Sequence, residues 1–477
     1  MKSVKRERMD IHMKEKNLQH DDVAIYVEPS KRMPLAVIIM SALLGALMFG
    51  YGLSGALVAI GTEMGSMEMI AWLFTAANIV QMVMNPLLPG ISAKIPMPRL
   101  ILIGLIVGLV SAVGFTFAPN MSIMILCRAL NGFSGAVIFN GGLAFAGQIM
   151  TPEKRPMATI LQMVFNGVGS MVAPVLAGVL VDAGNWRLWM AVTIALYAIV
   201  LVLYVIFYPR GIEPLPGAKV DGAGVVLLAI IFLALALVLQ LSGTYWPWKS
   251  PTTFILAALV IVALILFVRV ELKVERSGRR PAFRVSLFKQ NPFRTACLCA
   301  LFACIATNGV ASYYSAYAQS VLGFSATQAA LGYSIGSVGC IFLSLTLGYF
   351  MGKKRLFKPC AALTAVVWIA VVMLVILLGS SITPVLYTIL IAIFATMTGW
   401  GSSMNFLIGQ TMVATEDVLD SSAGIVSLQM VGAFLGVSLN AALINTVGYT
   451  GLFAACAVGA AFFLIFMLFL KDPAKQG

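Results

Sequence analysis

Residues 127–187 read CRALNGFSGAVIFNGGLAFAGQIMTPEKRPMATILQMVFNGVGSMVAPVLAGVLVDAGNWR. Two apolar runs flank a short basic loop, Pro152 to Met157. The first run holds an arginine, Arg128. The second holds a ladder of small residues, Gly169, Ala173 and Ala177, broken by Pro174 and followed by Gly178. About 20 apolar residues in helix cross a ~30 Å hydrocarbon core, and lipid accepts only spanning segments that satisfy their own backbone polar groups. The stretch therefore reads as two membrane helices joined by a loop.

Outward from it, runs of similar length recur almost end to end: 34–61, 69–91, 100–118, 122–148, 158–182, 188–209, 222–243, 251–269, 295–317, 328–351, 358–379, 384–411, 421–446 and 450–470. These make fourteen spans of an all-α polytopic membrane protein. Composition agrees, with 60% hydrophobic residues, 10% charged and a mean hydropathy of +0.98; soluble domains carry about 25% charged residues.

The formal charge of +13 does not describe a nucleic-acid surface. Apart from Arg128, Arg187 and Lys249, every Lys and Arg falls in the N-terminal tail, in alternate loops or after the last span. Such a bias places both termini in the cytoplasm and the chain in the cytoplasmic (cell inner) membrane. The loop between spans 12 and 13 departs from it, carrying Glu416, Asp417 and Asp420 and no base, but acidic residues weigh little in the rule. The tail, 1–33, has no short apolar core with a cleavage site, so no cleaved signal is expected.

Several function classes drop out. There is no GxxxxGK[ST] loop, hence no ATP-driven engine within this sequence. His12 and His20 both sit in the tail, and the cysteines lie in or at the ends of apolar runs as packing residues. Neither an embedded enzyme nor a metal or cofactor site is expected. The organisation reads as 1–33 tail, 34–209 six-helix half, 210–269 inserted helix pair, 270–294 cytoplasmic loop, 295–470 second six-helix half and 471–477 C-terminus. The halves repeat a glycine before a basic loop after their second span: Gly90 with Lys94 and Arg99, then Gly348 with Gly352, Lys353, Lys354 and Arg355. Two like halves around a midplane site are a transporter architecture.

At these residues the chain resembles the major facilitator superfamily, in particular its 14-span drug:proton antiporter family. Arg128, Gly132 and Gly135 are similar to the fourth-span motif Arg-x-x-x-Gly-x-Gly, with Ser134 in place of one glycine. Gly169 through Gly178 is similar to the fifth-span antiporter motif, with alanine for two glycines; Trp186-Arg187 resembles the turn before span 6, and Trp72, Thr75 and Pro86 resemble span 2. Lys94 stands where the loop motif wants aspartate, and Gly52 where a span-1 carboxylate is expected. The resemblance implies a major facilitator fold in which spans 1, 4, 9 and 12 face a central cavity.

Arg128 lies ~9 Å inside its span at 1.5 Å per residue, and Asn131 and Gly132 share its helix face. A charge there is costly and usually faces a polar cavity. It either binds an anionic group or couples to proton movement, or it is a structurally paired arginine. Gly169, Ala173, Pro174 and Gly178 form either a close-packed seam or a hinge. Tyr51, Asn308, Tyr313, Tyr317, Trp400 and Asn405, flanked by Asn78, Gln81, Gln162, Asn166 and Gln429, are candidates to line the cavity. Each is either interhelical glue or a substrate contact; together they suit an amphipathic organic solute. No Asp or Glu falls at the centre of a span; Glu63 and Asp182 sit at outer ends. The expectation is a monomeric secondary transporter exporting small organic solutes in exchange for protons. Alternatives are a uniporter or proton-coupled transporter, including uptake, of an organic anion, with Glu63 or Asp182 open as coupling groups, and a non-transporting sensor.

Overall fold

The structure is a computed structural model, and it describes residues 25, 27–92, 94–151, 154–212, 222–242, 245–277, 285–354, 356–413 and 418–470. Fourteen of its helices are long and apolar enough to cross a membrane. They are α1 (Pro29–Glu63), α2 (Ile70–Ser92), α3 (Met97–Thr116), α4 (Met121–Ile149), α5 (Arg155–Asp182), α6 (Arg187–Ile206), α7 (Gly222–Leu241), α8 (Pro251–Arg276), α9 (Asn291–Ser320), α10 (Ala326–Lys354), α11 (Phe357–Leu378), α12 (Pro384–Thr411), α13 (Val418–Val447) and α14 (Tyr449–Leu468). An even number of crossings puts α1's start and α14's end on one face of the bundle, called here the terminal face; the other is the far face. The basic tail before residue 25, Glu416, Asp417 and the C-terminus after 470 lie outside the described residues.

Helix ends follow local chemistry. Prolines occupy the first turn of α1, α3, α5, α8, α9 and α12, where a missing N–H costs nothing. Asn120, Ser250 and Thr383 cap α4, α8 and α12 by accepting from the backbone N–H three residues on. Gly448, at φ +82°, makes the single-residue reversal between α13 and α14, a backbone conformation only glycine adopts without strain. The expected spans match these helices closely. α8 runs on past 269 to Arg276 because an amphipathic helix need not stop where the hydrocarbon does.

The packing repeats. α1 lies against α5 and α6, α2 against α4, and α3 against α4 and α6; α9 lies against α13 and α14, α10 against α12, and α11 against α12 and α14. Between these sets, α5 packs on α10, α2 on α13 and α1 on α9, so the two sets exchange equivalent helices. α7 pairs with α8 and touches both α2 and α13. Small residues permit the tight crossings: a Cβ on Gly132 of α4 would fall 2.3 Å from the backbone oxygen of Ala77 in α2.

Candidate functional site

Arg128 is enclosed rather than open. Its Nε donates to the Leu73 carbonyl at 2.7 Å and its Nη1 to Asn131 Oδ1 at 2.8 Å. Asn131 Nδ2 in turn donates to the Tyr197 hydroxyl at 3.3 Å. The guanidinium carbon stands 4.7 Å from the centroid of the Phe49 ring. The charge is thus held by a carbonyl dipole, an amide oxygen and a π face, from α2, α4 and α1, with α6 bound through Tyr197. Among the described residues no carboxylate pairs with it. Arg128 and Asn131 are both buried, and together they tie four helices of one set.

The open chemistry lies between the sets. Tyr51 sits ~18 Å along α1 from the Glu63 end, yet it is 36% exposed. It comes close to Tyr333 and Cys340 of α10, and a Cβ on the adjacent Gly50 would meet only open space. A tyrosine accessible at that depth, beside a helix of the opposite set, marks a gap between them. Tyr333 stacks on Tyr314 with centroids 5.2 Å apart. On α2, Phe74, Asn78, Gln81 and Asn85 follow at three- and four-residue spacing and so share a face. Phe74 meets Tyr313 of α9 at 6.1 Å, and Asn85 donates to Met430 of α13. Asn78 and Gln81 lie between those two contacts, on the face turned toward the other set. Asn78, Gln81 and, on α5, Asn166 are half-buried and make no hydrogen bond to another described residue.

The remaining candidates divide. Gln162 donates to the Phe139 carbonyl at 2.9 Å, and Asn308 to the Cys304 carbonyl one turn back. Trp400 Nε1 donates to the Leu343 carbonyl at 2.8 Å, and half-buried Gln429 lies on α13. Tyr313, Tyr317 and Asn405 are buried; Tyr317 packs into a ring cluster with Tyr387, Tyr449 and Phe453. Gly135 has only Gln81 near the place of a Cβ, at 3.7 Å. On α5, Gly169 fits against Leu47 of α1 and Gly178 against the backbone of Ala326 in α10, Ala173 is buried, and the helix continues through Pro174.

Sequence reading missed several partners. A π-helical turn, Val137–Gly141, interrupts α4; such turns leave carbonyls without their regular partners, and Gln162 takes one. Asn140 within it donates to Asn85 Oδ1 at 2.7 Å. Gln240 of α7 donates to Thr75 Oγ1 and, at 3.4 Å, to Ser438 Oγ. A more even weighting of amides in apolar runs would have included Asn85, Asn140 and Gln240; nothing in the sequence signals the π turn.

The far face is shut. Glu63 pairs with Arg187 at 2.7 Å and accepts from Trp186 Nε1 at 2.5 Å, joining the ends of α1 and α6. Across the two sets, Gln319 of α9 donates to the Gly55 carbonyl at 3.3 Å. Asp182, the last residue of α5, accepts from the N–H of Ala326 at 2.8 Å and of Thr327 at 2.9 Å, the first residues of α10. A cavity of about 480 Å³ opens at this face between α2, α4 and α7, lined by Trp72, Tyr245 and Trp246 among others; it sits at the rim, away from the gap.

Two like sets of membrane helices, closed against each other at one face around an accessible polar and aromatic middle, define a secondary membrane transporter. The comparisons agree. The family model described as Major Facilitator Superfamily matches residues 38–227. Multidrug resistance protein 3 of Bacillus subtilis (strain 168) is 24% identical over 381 residues, 79% of this chain and 72% of that protein. Multidrug transporter protein MdtP of the same organism is 22% identical over 421 residues, 87% and 76%. In fold, the crystal structure of the POT family transporter PepTSo superposes with a TM-score of 0.65 over 94% of this chain and 98% of that one, at 16% identity. The chain is thus similar to the major facilitator superfamily over residues 38–227, and the names printed for its relatives are those of multidrug transporters.

Proposed function

We propose that this transporter exports small amphipathic organic solutes across the cytoplasmic membrane by alternating access, in exchange for protons. The basic loops put the terminal face in the cytoplasm and make the far face extracellular. The two six-helix sets, with α7 and α8 as an inserted pair, rock about the gap. The observation that carries the reading is the accessible Tyr51, together with the half-buried Asn78, Gln81 and Asn166, which make no hydrogen bond to another described residue: a ring face and amides recognise amphipathic molecules of varied shape. Export as the direction rests on the names of the similar proteins.

Because no carboxylate lies at the centre of a span, the reading favours neutral or anionic solutes over cations. Arg128, held by its own set, acts on the cargo only indirectly. Efflux of a panel of neutral, anionic and cationic fluorescent compounds from loaded cells, with and without a proton uncoupler, tests all three parts. Uncoupler-sensitive efflux of the neutral or anionic members is expected. Efflux indifferent to the uncoupler would remove the antiport reading, and accumulation in place of efflux would reverse the direction.

A further inference from the structure

The beginning of α10 is capped from two sources. Ser325 and Gln328 form a capping box within the helix: Gln328 N–H donates to Ser325 Oγ at 3.3 Å, and Ser325 N–H donates to Gln328 Oε1 at 3.2 Å. That arrangement satisfies the third helical N–H and the cap's own. It leaves the first two, on Ala326 and Thr327, without intrahelical partners, as at any helix start. Both are taken by one carboxylate, Asp182, from the end of α5 in the other helix set. The helix dipole adds to the attraction, since its positive end faces the anion. Directly below, Gly178 admits the Ala326 carbonyl, which a Cβ would approach within 2.7 Å.

We propose that Asp182 is the latch of the extracellular gate: its carboxylate completes the cap of α10 only while the two sets are closed at the far face. The inference rests on the alternating-access reading and adds a positioning residue to it. Glu63 cannot play this part, because its partners Trp186 and Arg187 belong to its own set. When the far face opens, α5 and α10 part, and Asp182 and both N–H groups pass to water. The difference between closed and open states therefore includes two charge-assisted hydrogen bonds, which are stronger than neutral ones. Substitution by asparagine supplies one acceptor and turns an amide N–H₂ toward a second donor.

The test uses Cys340, close to Tyr51 in the gap, in a full-length protein whose other six cysteines are replaced. Intact cells are treated with a membrane-impermeant thiol reagent, and labelling is normalised to that after denaturation. The parent protein should label slowly. Asp182→Asn should raise the rate roughly tenfold, the effect of losing about one charge-assisted hydrogen bond, and Asp182→Glu should restore most of the parent rate. Ala326→Pro removes one donor at a position where proline suits the helix start, leaves the charge untouched, and should raise labelling in the same direction. Parent-like labelling of both Asp182→Asn and Ala326→Pro overturns the latch, as does an effect of the charge change alone. Absence of solute flux in the parent would instead defeat the transport reading, while the labelling comparison would still decide on the latch.

Discussion

Arg128 shows how much a single side chain can be asked to hold together. Its fork donates in two directions, to the Leu73 carbonyl and to Asn131, and its face rests on Phe49. Arg128→Ala should leave that carbonyl and amide buried without a donor, costing about 2–3 kcal/mol and lowering the detergent-solubilised thermal midpoint by several degrees. Arg128→Lys keeps the charge but offers a point donor in place of a planar fork, so it should recover only part of the loss. Scanning fluorimetry of the two variants beside their transport rates separates the roles: transport lost at an unchanged midpoint would mean the arginine acts on cargo or proton directly. Tyr51 makes the opposite prediction. Being partly exposed and with no hydrogen bond from its hydroxyl among the described residues, Tyr51→Ala should change stability by no more than about 0.5 kcal/mol. It should nevertheless raise KM for aromatic solutes, with Tyr51→Phe close to the parent if the ring face is what binds. An unchanged KM for Tyr51→Ala would remove it from the site.

At the scale of the element, the crossing of α4 on α2 is set by the absence of one carbon. Gly132→Ala must push Ala77 away, and a rigid backbone neighbour cannot yield as a side-chain tip can; the cost is expected at about 1–3 kcal/mol. Gly147, further along the same helix, has nothing within 4 Å of an added Cβ. There Gly147→Ala should be neutral or stabilising by up to about 1 kcal/mol, through helix propensity alone. Equal melting shifts for the two variants would show that contact at Ala77 does not govern the crossing. Helices were the most legible part of this chain, since span length and apolar composition are local properties: all fourteen expected spans have their helix. The site was less so. Arg128 and Asn131 were readable as a pair from their spacing, but their enclosure by Leu73, Phe49 and Tyr197 depends on three other helices. Asn78, Gln81 and Asn166 were readable as polar exceptions in apolar runs, whereas Asn405 looked the same in sequence and is buried against its own helix. The π turn of α4 leaves no local mark at all.

On the scale of the whole molecule, the two helix sets meet along seams that exchange equivalent helices, α5 with α10 and α2 with α13. One seam carries the Asp182 cap. The other carries Thr75 and Ser438, whose hydroxyl oxygens stand 3.4 Å apart with Gln240 of α7 bonded to both. The α7–α8 pair is therefore tied to both sets at one point and must follow any movement between them. If the sets rock, this seam has to shear or part in each cycle, because packed interfaces switch between discrete arrangements rather than deform continuously. Cysteines at Thr75 and Ser438, in a protein lacking its native thiols, are placed to form a disulfide across the seam. Oxidation should then stop transport in reconstituted vesicles, and a reductant should restore it, with each single-cysteine variant unaffected by either reagent. A fully cross-linked protein that still transports at the parent rate would mean that α2 and α13 move as one body, and that access alternates by bending within the sets instead of rocking between them.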